Sequence, residues 1–166
     1  MTASVISEEL NVEDFWAWAV MQWSDSILSA EMMALQDEHQ CVVLELLLMG
    51  WLGRKNFALS TAGHLELVAT AAPWLDDVVI PLRATRHRWR GVQVLASQRE
   101  QLQQLELKCE YALAELYFET LLALEPSDLV LTQENRVIDN LVIACASLGS
   151  TVSPQRIEGL GTLLSP

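Results

Sequence analysis

The stretch Cys41-Val42-Val43-Leu44-Glu45-Leu46-Leu47-Leu48-Met49-Gly50-Trp51-Leu52 is apolar almost all round and is interrupted by one carboxylate. A helix with no polar face has nothing to offer water, so it belongs at the centre of a domain. At about a dozen residues it falls short of the ~20 that a bilayer span requires. Gly53, Arg54 and Lys55 follow. A glycine and then cations is the expected stop for such a helix, the cations sitting at the negative end of its dipole.

The flanking segments read as helices that wrap this centre. Asn11 caps a run from Val12 to Trp23, with Phe15, Trp16, Ala19 and Trp23 at helical spacing. Ser24 restarts a helix whose stripe is Ile27, Leu28, Met32 and Leu35, ending near His39. Ser60 caps a helix to about Ala72, and Pro73 opens a separate one that Pro81 kinks and Gly91 closes. Ser97-Gln98-Arg99-Glu100 has the form of a capping box before the longest helix, which reaches about Leu124. Its stripe is Leu102, Leu105, Cys109, Leu113, Leu116 and Thr120, with Glu106, Glu110 and Glu119 off it. Thr132 is placed to cap a helix ending at Leu148 and Gly149, and Ser153-Pro154 starts a short last one. No strand with clean alternation is visible. The fold expected is all-α: a compact bundle of six to eight helices around 41–52. Residues 11–90 form an N-terminal helical domain, and residues 97–166 a helical hairpin with short helices packed on it, or the two are one continuous domain.

Bulk composition narrows the function classes. An apolar share of 51 % with 19 % charged residues suits a compact helical protein with apolar surface to spare for a partner. A net charge of -12 argues against nucleic acid, whose binding depends on neutralising phosphates, and against an anionic membrane surface. Cys41, Cys109 and Cys145 are odd in number and far apart, and they read as small core residues rather than a disulfide framework. The opening Met1-Thr2-Ala3-Ser4 lacks the pattern of a secretion signal, so a cytoplasmic setting is expected.

Several residues resemble a small uncharacterised proteobacterial family of proteins about this long. They are Asp14-Phe15-Trp16, Ala34-Leu35-Gln36-Asp37, Trp51-Leu52-Gly53, Pro73-Trp74 and Val79-Ile80-Pro81-Leu82-Arg83. The likeness covers roughly residues 11–90, and the chain from Gly91 onward looks family-variable. The resemblance implies a bacterial cytosolic helical protein and carries no catalytic residues with it. Relatives tend to have polar residues near the start of the third helix, where this chain has Val42 and Leu44. That departure speaks against a polar site there.

The leading candidate site is Arg83, Arg86, His87, Arg88 and Arg90, four of the ten basic residues in one short segment. Arg83, Arg86 and Arg90 share a helix face and offer forked donors to a phosphate or carboxylate. The same cations suit a helix C-terminus and can pair the chain's own acids. Asp76 and Asp77 lack the third carboxylate of a metal motif and suit a helix N-terminus. Glu45 is costly to bury alone. It pairs with an arginine such as Arg83, reaches the rim, or is a raised-pKa acid in a pocket. Trp16 and Trp18 point about 200° apart on one helix, so one of them is partly exposed and available to a partner. His39, His64 and His87 have no metal spacing, and no nucleophile motif or phosphate loop is present. No metal or cofactor is expected.

These features favour a non-enzymatic protein-interaction or adaptor module that docks a protein partner. Its contact residues are Arg83, Arg86, His87, Arg90, Trp18, Trp74, Asp77 and Glu45. The alternative is a binding protein or enzyme for a small anionic metabolite, with a pocket between the helices carrying Glu45, Trp74 and Arg83. A homodimer through residues 102–124 is a third arrangement that the long apolar stripe permits.

Overall fold

A computed structural model describes residues 10–147 and 151–165. The described residues form eight α-helical segments and one two-stranded ribbon, an all-α architecture. Helix α1 spans Val12–Trp23, and the Asn11 side chain accepts from the Asp14 amide at 3.0 Å. Helix α2 spans Ser26–His39 and takes its cap from Asp25, whose carboxylate accepts from the Ile27 and Leu28 amides at 2.8 and 3.0 Å. Ser24, the expected cap, instead closes α1, its hydroxyl donating to the Met21 carbonyl. Helix α3 spans Val43–Arg54, with every residue from Leu44 to Gly53 buried. This is the central helix that the apolar run requires.

Around α3 the chain closes in ways that local pattern does not announce. Helix α4 (Thr61–Trp74) is capped by Ser60, whose hydroxyl accepts from the Gly63 amide at 3.0 Å. It runs through Pro73 instead of stopping before it, and a π-helical turn, Leu75–Val79, joins it to α5 (Ile80–Arg88). Pro73 and Pro81 each remove one backbone donor, and the wider turn between them absorbs the irregularity that a kink would otherwise carry. A 3-10 turn, Gln93–Leu95, leads to α6 (Ala96–Ala123). That helix begins ahead of Ser97 and makes no side-chain cap bond, so the capping-box pattern goes unused.

Two strands, β1 (Phe57–Leu59) and β2 (Leu129–Leu131), pair antiparallel with Phe57 opposite Leu131 and Leu59 opposite Leu129. Three residues are too few to show alternation, which is why no strand was expected. Thr132 serves this ribbon: its amide donates to the Asn56 carbonyl at 2.7 Å. It does not cap the next helix. Helix α7 (Val137–Ser147) instead starts where the Asn135 side chain accepts from the Val137 amide at 2.9 Å. The expected end of this helix at Leu148 and Gly149 lies outside the described residues. Helix α8 (Pro154–Leu164) closes the fold, and Arg156 ties it to α2 through Glu31 and Glu38 at 2.5 and 2.6 Å.

One contiguous hydrophobic cluster draws on every helix except α5. Phe15, Trp51 and Phe118 meet at its centre with ring centroids 5.6 to 5.7 Å apart, joining α1, α3 and α6. Helices α6 and α7 do not form the expected hairpin. Helix α6 packs on α4, α5 and α1, whereas α7 packs chiefly on α3 and then on α8 and α4. The α6 stripe keeps Leu113 and Thr120 of its sequence reading, and Ala114, Tyr117, Phe118 and Leu121 widen it. Leu113, Ala114, Tyr117, Phe118 and Leu121 are buried, while Leu105 is exposed and Glu106 is buried.

Candidate functional site

The arginine segment lies along α5 and the turn beyond it, and the first two arginines face α6. Arg83 donates to Glu106 at 3.1 Å, to Glu110 at 2.5 Å and to the Gln36 side-chain oxygen at 2.7 Å. Arg86 makes a two-pronged contact with Glu106. Glu106 and Glu110 stand one turn apart on α6, so two carboxylates meet two guanidiniums and the charges cancel. Burial pushes the Glu106 carboxyl up, but the hydrogen bonds and charges of Arg86 and Arg83 outweigh it and hold Glu106 below the usual carboxylate range. Glu110 has fewer such contacts, and burial leaves its carboxyl raised. The hydrogen bond that Arg86 donates to Glu106 raises Arg86 in turn.

The rest of the segment is free of this network. Helix α5 ends at Arg88, so Arg90 lies in the following turn and does not continue the Arg83–Arg86 face. Arg88 and Arg90 are exposed, and among the described residues neither makes an ion pair. His87 is held below the usual histidine range, first by partial desolvation and then by the charges of Arg86 and Arg90. Beyond the helix, Gly91 takes a positive φ of 79°, and Val92 and Val94 project into solvent. Val94, at 84 %, is the most exposed large apolar side chain among the described residues.

The other candidates do not converge on one place. Glu45 is buried against the His64 ring at 2.6 Å, so its partner is a histidine on α4 and not Arg83. The Trp74 indole donates to the Cys109 carbonyl at 2.9 Å and pins the end of α4 to α6. Asp77 is exposed in the π-turn. Trp18 is half-buried, with the Arg54 guanidinium 5.9 Å from its ring centre and its indole nitrogen buried without a partner. Trp16 is also half-buried and stacks edge-on with Tyr111. Trp23, read as inward-facing, is 41 % exposed beside Val20, Met21 and Ile27 at the α1–α2 corner.

A cleft of about 330 Å³ opens between the end of α2 and the start of α5. Gln36, Asp37, Gln40 and Cys41 form one wall and Arg83 and His87 the other. Of Glu45, Trp74 and Arg83, only Arg83 lines it. Among the described residues no cluster of three or more His, Cys, Asp or Glu side chains could hold a metal ion. Nor is any helix of the described residues long and apolar enough to cross a membrane.

Curated proteins and solved structures offer no significant match to this chain. One family model does match, across residues 14–116, more than half of the chain. The match runs past Arg90 through the exposed corner and along α6 to Leu116, so it takes in both sides of the Arg83–Arg86–Glu106–Glu110 network as well as the central helix. The chain belongs to the family described as protein of unknown function DUF2390.

Proposed function

We propose that the protein is a non-enzymatic interaction module. Its docking surface is the corner formed by the end of α5 and the turn into α6, and its partner is a protein segment that is acidic and carries apolar side chains. The observation that supports this reading is one juxtaposition. The two arginines of the segment that α6 does not neutralise, Arg88 and Arg90, stand beside the exposed Val92 and Val94. The two cations make this corner locally complementary to an acidic segment, in a chain whose net charge is otherwise -12. Arg83 and Arg86 act behind this surface, fixing α5 on α6. They are a scaffold and not contacts.

The test is affinity capture with the wild-type chain beside an Arg88→Glu/Arg90→Glu/Val94→Asp variant, followed by titration of the identified partner against both. The expected result is a partner whose contact segment is acidic, with affinity weakened at least tenfold in the variant, as about 1.4 kcal/mol would give. It should also weaken with added salt in the wild type. Equal affinity for both proteins would overturn the assignment. Thermal shift with phosphorylated and carboxylated metabolites covers the rival reading: a stabilisation that Arg83→Lys abolishes, without any captured partner, would move the site to the cleft.

A further inference from the structure

Two residues at the end of α2 break local rules for a helix terminus, and both line the cleft between α2 and α5. Asp37 puts a carboxylate in the last turn, at the negative end of the helix dipole. Gln40 is the C-cap and holds a left-handed backbone, φ 59°, where glycine is the favoured residue. The closure this backbone permits, the Gln40 amide donating to the Gln36 carbonyl at 3.0 Å, needs no side chain. Nor do the side chains gain much from the fold. The Asp37 carboxylate makes no ion pair among the described residues, and the Gln40 amide nitrogen reaches only the Asp37 carbonyl, at 3.5 Å. Glu38 gives the contrast: it shares that last turn but pairs with Arg156 at 2.6 Å. Local conflicts that the fold does not compensate concentrate at functional sites.

The opposite wall is positive. Of the four arginines on α5 and the turn beyond it, Arg83 and Arg86 meet the two carboxylates of α6, and Arg88 and Arg90 stay unneutralised. Arg83 donates from Nε to Glu106, from Nη1 to Gln36 and from Nη2 to Glu110, so each terminal nitrogen keeps one N–H. The Gln36 oxygen is the acceptor in that contact, which leaves its amide nitrogen free to donate. Val42, Leu75 and Ile80 add apolar surface to the lining.

We propose that this cleft binds a free aliphatic α-amino acid. The ligand's carboxylate takes the remaining N–H groups of Arg83 and the Gln36 amide. Its ammonium takes the Asp37 carboxylate and the Gln40 side-chain oxygen, and its side chain covers Val42, Leu75 and Ile80. Walls of opposite charge select a zwitterion: a plain anion meets Asp37, and a plain cation meets the arginine wall. The volume, about 330 Å³, is at the small end of the ~300–1,000 Å³ of small-molecule sites, which suits a ligand of this size. The donors are held in advance, because three acceptors fix Arg83 and its contact with Gln36, at 2.7 Å, ties α5 to α2. None of Arg88, Arg90, Val92 and Val94 lines the cleft, so this site stands whether or not the corner docks a protein.

The test is isothermal titration calorimetry of the full-length protein with L-leucine, L-isoleucine and L-valine. The tightest binder is then compared with its amide, which lacks the carboxylate, and with its deaminated acid, which lacks the ammonium. Saturable binding with a Kd below about 1 mM is expected, weakened at least tenfold in each analogue. Asp37 and Gln40 are exposed, so Asp37→Asn and Gln40→Gly should fold. Both should keep or raise the melting temperature of the unliganded protein, by up to about 4 °C, since each relieves a local conflict. Both should nevertheless weaken the amino acid, Asp37→Asn by about tenfold. A loss of binding without a loss of stability is what a purely structural role would not produce. No saturable binding of any of the three up to about 10 mM would overturn the proposal. So would an amide or a deaminated acid that binds as tightly as its parent, or an unchanged affinity in both variants.

Discussion

Asn140 is completely buried on α7, yet its side chain is fully employed. Its oxygen accepts from the Leu59 amide at 3.1 Å, and its nitrogen donates to the Phe57 carbonyl at 2.9 Å and reaches the Met49 carbonyl. One residue thereby satisfies backbone groups on β1 and α3 that have no other route to water. Asn140→Leu should destabilise the protein by about 3 kcal/mol, because the partners are left buried and unpaired. Urea unfolding would read it, and a loss under 1 kcal/mol would mean that the groups find other partners. The Glu45–His64 contact follows the same logic: His64→Leu leaves the buried Glu45 carboxyl without its imidazole partner and should cost about 1–3 kcal/mol, read by the same urea unfolding. Neither role was legible in the sequence. An asparagine inside an amphipathic helix carries no mark of the strand it will stitch, and the partner of Glu45 lies on another helix 19 residues away.

At the scale of elements, α3 was readable because an all-apolar run admits one placement, and α1 because its cap and stripe agree. Gly53 was misassigned for an instructive reason. A glycine near a helix end suggests a stop, but here it lies inside the last turn of α3, and its missing side chain is what lets the α7 backbone approach. Gly53→Ala would gain up to ~1 kcal/mol of helix propensity on an isolated helix. In the fold it must instead push two backbones apart, since the added carbon meets the Val137 nitrogen at 2.2 Å. A loss of about 2–3 kcal/mol is expected, measured as a lower urea midpoint at unchanged slope. The arginine network is the other element-scale lesson. Spacing showed that Arg83 and Arg86 share a face, but not that α6 presents Glu106 to that face. Because the Glu106 carboxyl is depressed in the folded state, its contribution is present above its unfolded value, near 4.5, and disappears as pH falls through its folded value. The raised Glu110 works in the opposite sense, opposing stability as it ionises. Glu106→Gln should thus lower the melting temperature at neutral pH and shrink the acid-induced drop between pH 5 and 3, read by thermal scans across that range. An unchanged drop would assign it to other carboxylates.

On the scale of the whole molecule, the sequence suggests a division near residue 90, and composition alone cannot say whether the two parts depend on each other. The packing bears on it directly. The central helix α3 takes its principal neighbour, α7, from beyond residue 130, and β1 takes its ladder from β2. Phe118 supplies one of the three rings at the centre of the core. A chain ending at residue 95 would therefore expose much of the apolar surface of α3, together with the β1 edge that β2 covers. Surface of that extent is worth about 25 cal/mol per Å² when buried, so its loss removes more than a marginally stable domain can spare. The fragment 1–95 is expected to be helical by far-ultraviolet circular dichroism, to bind a hydrophobic dye, and to lack a cooperative thermal transition. The intact chain should melt in one transition followed identically by tryptophan fluorescence and circular dichroism. Two resolved transitions in the intact chain, or a sharply melting fragment, would show that the first ninety-five residues fold alone. In that case the α3–α7 contact would be an interface between two domains rather than the middle of one.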